Sequence, residues 1–368
     1  MRVTHLDLTM FRNYRSLELE PAGRLNLLIG ANAQGKTNLL EAISLVMRGR
    51  SSRIRLRQDI LTRGEARCRV AARFESDQRV PHDVELSLLR TGSREVMLDG
   101  GKLERTSDLF DRLPSVLQET TDLEMLSGPP AVRRTFLDTV CLELSVSHVG
   151  RFSLYQKLLR SRNALLSRGR SGAEMETLEL QMATAAADLV LSRLEGVDAL
   201  RQELETLPPE DGSEELEIEY TVAGASGREP PRARDELIQW YLEELADGRE
   251  SDLQLGYGTF GPHRDDLELK LGGKRIRNVA SRGQMKDVLL RLKVAEAKAL
   301  ARLRGESPVM LLDDVFSETD STRRRNMLRW LPREGQIFLS GTDERIEEEL
   351  EDREWQGYRV RTGALVAA

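Results

Sequence analysis

Cysteine is nearly absent from the 368 residues. Cys68 and Cys141 are the two, far apart and outside any metal-type spacing, so no disulfide framework is expected and a reduced, cytoplasmic protein is. Histidine is almost as scarce: His5, His82, His148 and His263 are scattered, and no histidine-based metal site is indicated. No apolar run approaches the ~18 residues that a membrane span needs, and residues 1–8 lack the apolar core of a signal peptide; no membrane partner is expected. A global basic field is missing too, since 55 Lys and Arg stand against 61 Asp and Glu for a net charge of −6. A nucleic-acid partner would therefore have to be met by local clusters. What is present is 39% hydrophobic and 32% charged residues, enough for a substantial core under a highly charged surface. The length suits two domains, or one large domain with an insertion.

The most informative stretch is residues 25–38. A short apolar run (Leu25-Asn26-Leu27-Leu28-Ile29) predicts a buried strand, and the loop Gly30-Ala31-Asn32-Ala33-Gln34-Gly35-Lys36-Thr37-Asn38 matches G-x-x-x-x-G-K-[ST]. Residues 39–47 continue at helical spacing. Gly30 and Gly35 permit the sharp turn that aims successive N–H groups inward at phosphate oxygens. The helix start adds its positive dipole end. Lys36 is placed to reach the outer phosphates, and Thr37 to offer a hydroxyl to Mg²⁺.

Strands are predicted over 3–10, 15–19, 68–74, 84–89, 95–98 and 113–118, so the first 118 residues are rich in β-structure. Character changes at Gly128-Pro129-Pro130. Residues 131–207 read as helical with a break at 168–172, a strand is expected at 215–222 and a helix at 235–246. Residues 119–250 are therefore expected to form an inserted, mostly helical domain, with the head split between 1–118 and 251–368. Strand character returns at 266–271, a helix is expected from Ser281 to about Leu303, and 309–312 and 336–339 read as buried strands around a helix at 320–330. An acidic helix is expected at 346–350. This alternation indicates parallel α/β packing that joins the strand before Gly30 in one sheet.

Lys36 and Asp313 lie 277 positions apart. The run Val309-Met310-Leu311-Leu312-Asp313-Asp314 supplies what a phosphate loop lacks: Asp313 to hold Mg²⁺, and Asp314 to polarise an attacking water. Ser281-Arg282-Gly283-Gln284 stands at a helix start, where a hydroxyl and a glycine backbone can meet a phosphate. Ser317-Glu318-Thr319-Asp320 and Ser340-Gly341-Thr342 follow. As a set these segments resemble the Walker A, signature, Walker B, D-loop and switch of the ATP-binding-cassette ATPases, split as in the SMC branch. Further motifs narrow the resemblance to the RecF family. They are Phe11-Arg12-Asn13-Tyr14, Gly128-Pro129-Pro130 with Arg133-Arg134 and Phe136-Leu137-Asp138, Arg162-Asn163 with Leu165-Leu166, and Gly261-Pro262-His263-Arg264-Asp265-Asp266. Thr120-Thr121 and Thr319 depart from the usual pattern, and the switch histidine is absent.

That resemblance implies an α/β fold, an ABC/SMC-type P-loop ATPase head with a β-rich N-terminal lobe and an inserted mostly helical domain. It implies ATP and Mg²⁺ as cofactors, with Gly30 to Asn38, Arg12, Asn13, Ser281, Gly283 and Gln284 at the nucleotide, Thr37 and Asp313 at the metal, and Lys36, Asp314 and Gln118 in catalysis. It also implies a head-to-tail homodimer around two ATP molecules, weak DNA-stimulated hydrolysis, and binding to double-stranded, gapped or junction DNA in repair and replication restart, where it assists RecO and RecR in loading RecA. Two acid-free basic stretches offer phosphate contacts: Arg53 and Arg55 in the run 48–57, and Arg160 and Arg162 in 151–172. Other readings remain: the motor subunit of a membrane transporter, or a non-hydrolysing ATP-bound DNA scaffold.

Overall fold

A computed structural model describes residues 1–21, 23–51, 53, 57–208, 214–223, 230–317, 319–350 and 353–367. The chain divides into two compact units, one of residues 1–123, 203–213 and 281–368, the other of 124–202 and 214–280.

The first unit carries two six-stranded sheets. One runs in the order Ala364–Ala367, Trp355–Arg361, Leu25–Ile29, Gln336–Gly341, Val309–Leu312, Ser115–Gln118. All its pairings are parallel except the hairpin made by the first two. Its central strands are buried on both faces, which is why they read as unbroken apolar runs. Register places Leu312 beside both Gln118 and Leu339, and Ile29 beside both Gly341 and Arg359. The carboxyl ends of five strands therefore meet along one edge, the place where open α/β sheets bind ligands.

The other sheet is antiparallel: Tyr14–Leu19, Arg2–Phe11, Arg67–Glu75, Pro81–Leu89, Arg94–Leu98 and Gly101–Lys102. Its strands alternate buried and exposed residues, as a half-covered sheet must. Helix Lys36–Arg48 lies against both sheets. Its Leu39, Leu40, Ile43, Val46 and Met47 share one apolar cluster with Leu6, Val70 and Leu86 of the antiparallel sheet and Val309 and Phe338 of the parallel one. The phosphate loop is thus fixed at both ends by core packing.

The second unit holds helices Pro130–Leu144, Ser147–Leu166 and Arg234–Leu255, the long helix that begins at Ala173, and a three-stranded antiparallel sheet. Two expectations change here. Strand Asp266–Leu271 does not join the phosphate-loop sheet; it pairs along its whole length with Leu216–Thr221, from Asp266↔Thr221 to Leu271↔Leu216. Its alternating burial suits a half-covered sheet, not a doubly covered one. The insertion consequently runs on to residue 280 instead of 250. In the first unit, the acidic stretch expected to be helical is a 3₁₀ segment, Glu344–Leu350.

A buried polar network lies inside the second unit. His263 Nδ1 is 2.7 Å from the Tyr155 hydroxyl and its Nε2 is 3.3 Å from the Gly258 carbonyl; with Nε2–H donating to the carbonyl, Nδ1 accepts from the tyrosine. Asp265 accepts from the Tyr220 hydroxyl and from the Ala223 N–H at 3.2 Å. Burial lowers the His263 pKa to about 4 and raises that of Asp265 to about 6. The two act oppositely on stability. Folded Asp265 keeps a proton that the unfolded chain releases near pH 3.9, so its contribution falls as pH rises from about 4 to 6. Folded His263 refuses a proton that the unfolded chain accepts below about pH 6.5, so its contribution grows over the same interval. His263→Gln should unmask the aspartate. Relative to the parent, the variant should lose on the order of 2 kcal/mol between pH 4.5 and 6.5, measured by native-state hydrogen exchange across strand Asp266–Leu271. A pH-independent difference would reject the pairing.

Candidate nucleotide site

The loop after Ile29 is shaped for an anion. Ala33 (φ 64°) and Gly35 (φ 121°) are both left-handed, and helix Lys36–Arg48 begins directly after them. Alternating handedness of this kind turns successive N–H groups into a concave nest. Lys36 donates to the carbonyls of Gly30 at 2.6 Å and Ala31 at 2.9 Å. Burial lowers its pKa, an effect opposed by the nearby carboxylates of Asp314 and Asp313. Ala31, Asn32 and Ala33 remain exposed over the nest.

Asp313 and Asp314 stand at the end of strand Val309–Leu312, next to the loop. Thr37 Oγ1 donates to Asp313 Oδ1 at 3.0 Å, and Ser340 Oγ donates to the same oxygen at 2.7 Å. The Asp314 N–H donates to Ser340 Oγ at 2.9 Å, and Asp314 is itself left-handed at φ 53°. A non-glycine residue in that region is uncommon and is concentrated where function fixes the backbone. Gln118 closes the neighbouring strand. Its side chain is 3% exposed, and Oε1 finds no partner among the described residues. A threonine hydroxyl, a carboxylate and an unsatisfied amide oxygen form the hard-oxygen set that Mg²⁺ prefers beside phosphate. The residues present fit the metal.

Asn13 braces the loop. Its Nδ2 donates to the Gln34 carbonyl at 2.9 Å and its Oδ1 accepts from Asn38 Nδ2 at 2.8 Å. Arg12 is fastened to its surroundings: Nε and Nη2 grip Glu41 at 3.0 and 2.8 Å, and Nη1 donates to the Asp59 carbonyl at 2.6 Å. Glu41 lies on the phosphate-loop helix, so Arg12 sits beside the site through that pair. Ser281, Gly283 and Gln284 form the start of helix Arg282–Arg304. There the Ser281 hydroxyl accepts from the Gln284 N–H at 3.3 Å, and the Gln284 side chain accepts from the Ser281 N–H at 2.9 Å. This capping box rigidifies an exposed helix start.

The basic candidates separate. Arg160 is exposed on helix Ser147–Leu166. Arg162, two positions on, is wholly buried, with Nη1 2.6 Å from Asp252 and Nη2 2.9 Å from Glu179. The expectation that it contacts DNA is therefore corrected. The stretch 151–172 lacks acids in sequence, but folding brings two from other helices, and a guanidinium so paired holds no charge for solvent. Arg53 is exposed, 3.6 Å from Glu41, and Arg55 lies outside the described residues, as does Glu318 of the expected D-loop.

One contributor was missed in the sequence. The turn Thr362–Gly363, between Trp355–Arg361 and Ala364–Ala367, rests on the phosphate loop: Thr362 N–H donates to Gln34 Oε1 at 2.8 Å and Gly363 N–H to the Gln34 carbonyl at 3.0 Å. A Cβ on Gly363 (φ 76°) would stand 2.2 Å from the Asn13 carbonyl oxygen, and one on Gly30 would stand 2.4 Å from that of Val360. Strand Trp355–Arg361 carries mixed polar residues at the sheet's margin and gives no apolar run, which is why periodicity passed over it. Gly363→Val combines a left-handed backbone cost of about 1–2 kcal/mol with displacement of Asn13. It should weaken binding of a fluorescent ATP analogue by about tenfold in titrations, with thermal unfolding followed in parallel; unaltered affinity in a folded variant would remove the turn from the site.

Residues 2–359 match the family model described as the RecF/RecN/SMC N-terminal domain. Among curated proteins, the DNA replication and repair protein RecF of Synechococcus sp. (strain JA-3-3Ab) is 32% identical over 354 residues, covering 93% of this chain and 91% of its own length. That of Geobacter sp. (strain M21) is 31% identical over the whole of both chains. A solved structure of the recombination mediator protein RecF with ATPrS, in the RecFOR pathway, superposes with a TM-score of 0.86 at 27% identity, covering 100% of this chain and 98% of that one. An Smc head bound to the C-terminal winged-helix domain of ScpA, 15% identical with a TM-score of 0.56 and covering 100% of this chain and 97% of that one, shares the fold. The fold is that of an ABC/SMC-type ATPase head, and the chain belongs to the RecF family.

Proposed function

We propose that this chain is an ATP-dependent DNA-binding protein of recombinational repair and replication restart. In this reading it works as a homodimeric clamp closed by ATP and released by slow hydrolysis. The observation that carries it is the meeting of Thr37 and Asp313, 276 positions apart, at 3.0 Å beside a left-handed phosphate nest. That the curated relatives are DNA replication and repair proteins, and that relatives have been solved with ATP and ATPrS, supports the biological setting.

Each residue then has a task. The nest and Lys36 hold the phosphates, Lys36 exchanging its two carbonyl partners for phosphate oxygens. Thr37, Asp313 and Gln118 hold Mg²⁺, which neutralises developing phosphate charge when bound. Asp314, pinned by Ser340, is the carboxylate that orients and deprotonates a water. Ser281 and Gly283 complete the site from the partner subunit, so nucleotide acts as a dimerisation ligand. DNA is met through exposed Arg160 and its neighbours Lys157 and Arg168 by phosphate contacts without sequence reading. In the cell the clamp works with RecO and RecR in loading RecA, as the family resemblance implies.

Light scattering with ATP, ADP and no nucleotide tests the clamp: ATP should give dimers, and a monomer under all three conditions would reject it. Lys36→Ala should abolish the response, whereas Asp314→Asn should bind ATP, dimerise and hydrolyse at least a hundredfold more slowly. Arg160→Glu should weaken binding to all duplex sequences alike and flatten the salt dependence by about one phosphate contact, read by fluorescence anisotropy at several salt concentrations. Steady-state hydrolysis with and without duplex DNA separates this reading from a scaffold that never turns over.

A further inference from the structure

The start of helix Arg282–Arg304 is more heavily charged than a capped helix end requires. Its first turn contains no acidic residue, and its macrodipole already places partial positive charge there. Onto this end the neighbouring helix Ser321–Trp330 lays a guanidinium. Arg323 Nε bonds Asp287 Oδ2 at 2.9 Å, one turn inside the helix. The other edge of the same group covers Gly283. A Cβ at that position would meet Arg323 Nη1 at 2.0 Å and Cζ at 3.0 Å, so the absence of a side chain is what admits the arginine. Lys286 adds a second cation, tied to the carbonyl and the hydroxyl of Ser317. The Arg323 backbone N–H is held in turn by Asp320 Oδ1 at 2.9 Å.

A cation at the positive end of a helix is electrostatically misplaced unless an anion joins it. Asp287 offsets Arg323 only along its Nε edge, and the two Nη groups point over the glycine with the fork geometry that suits phosphate oxygens. We propose that Arg323 is a phosphate-binding residue acting in trans, contacting the terminal phosphate of the nucleotide held by the partner subunit's loop. This rests on the ATP-sandwich reading above and adds to it a cation supplied from the opposite side. Lys36 and Arg323 would then hold one phosphate from two chains.

The test uses the full chain with Mg²⁺ and a non-hydrolysable ATP analogue. Arg323→Ala should weaken analogue-dependent dimerisation in light scattering at least tenfold more than it weakens analogue binding. Gly283→Ala, which displaces the guanidinium while keeping it, should fall in the same direction, and Arg323→Lys should fall less than the alanine. Mixing Arg323→Ala with Lys36→Ala gives the decisive reading. If Arg323 works in trans, the mixed dimer contains one composite site free of both changes, and each mixed dimer hydrolyses ATP at about half the parental rate. If it works in cis, both sites stay impaired and mixing restores nothing, which overturns the inference; an Arg323→Lys protein no better than the alanine, as a cation that only braces the helix start would give, likewise overturns it. An Arg323→Ala protein that dimerises like the parent overturns it too. A parent that fails to dimerise with the analogue removes the sandwich reading itself, and this inference with it.

Discussion

The hydrogen bond from Thr37 to Asp313 is the contact on which the nucleotide site depends. Neither residue could hold a metal alone: one is a neutral hydroxyl, the other a carboxylate at the end of a four-residue strand. They meet because the sheet is parallel, so its strands all finish at the same edge. Ser340 bonds the same carboxylate oxygen and also receives the Asp314 N–H, tying two strand ends and the start of the phosphate-loop helix into one rigid corner. The orphaned oxygen of Gln118 stands at a third strand end. A buried acceptor without a donor costs on the order of 1–3 kcal/mol, a cost that a bound metal or its water would remove.

How much of this was legible from residue order depends on the kind of signal. The strands Leu25–Ile29 and Val309–Leu312 are buried on both faces, so unbroken apolar runs announced them. The helix expected from Ser281 to about Leu303 is found as Arg282–Arg304, capped by Ser281 and Gly305, because caps are local chemistry. Partnership between strands was harder. Asp266–Leu271 was recognisable as a strand but not as a partner of Leu216–Thr221, since pairing over so long a separation leaves no local trace. Trp355–Arg361 was missed altogether; Gly357 and two arginines interrupt any periodicity.

Charge was the least reliable guide. Arg160 and Arg162 look equivalent in a one-signed run, yet one is exposed and the other sits wholly buried between Glu179 and Asp252. A helix turns by about 100° per residue, so positions two apart face nearly opposite ways. Breaking such a buried pair costs several kcal/mol. Substitution of Arg162 would therefore report on folding and say nothing about DNA. Arg12 teaches a related lesson: its bidentate pairing with Glu41 shows that a basic residue near a nucleotide loop can serve by fixing the helix that carries the loop.

The strand order has a further consequence, for biosynthesis. Leu25–Ile29 is flanked by Gln336–Gly341 on one side and Trp355–Arg361 on the other, both encoded far downstream of it. A ribosome that has already delivered the glycine loop must therefore extrude some three hundred more residues before either neighbour arrives. Until then the nascent first strand presents both hydrogen-bonding edges unpaired, a template for misassociation. Competence to grip a triphosphate is thus acquired only once those strands emerge, and a product cut short before them would carry the motif without the means to use it.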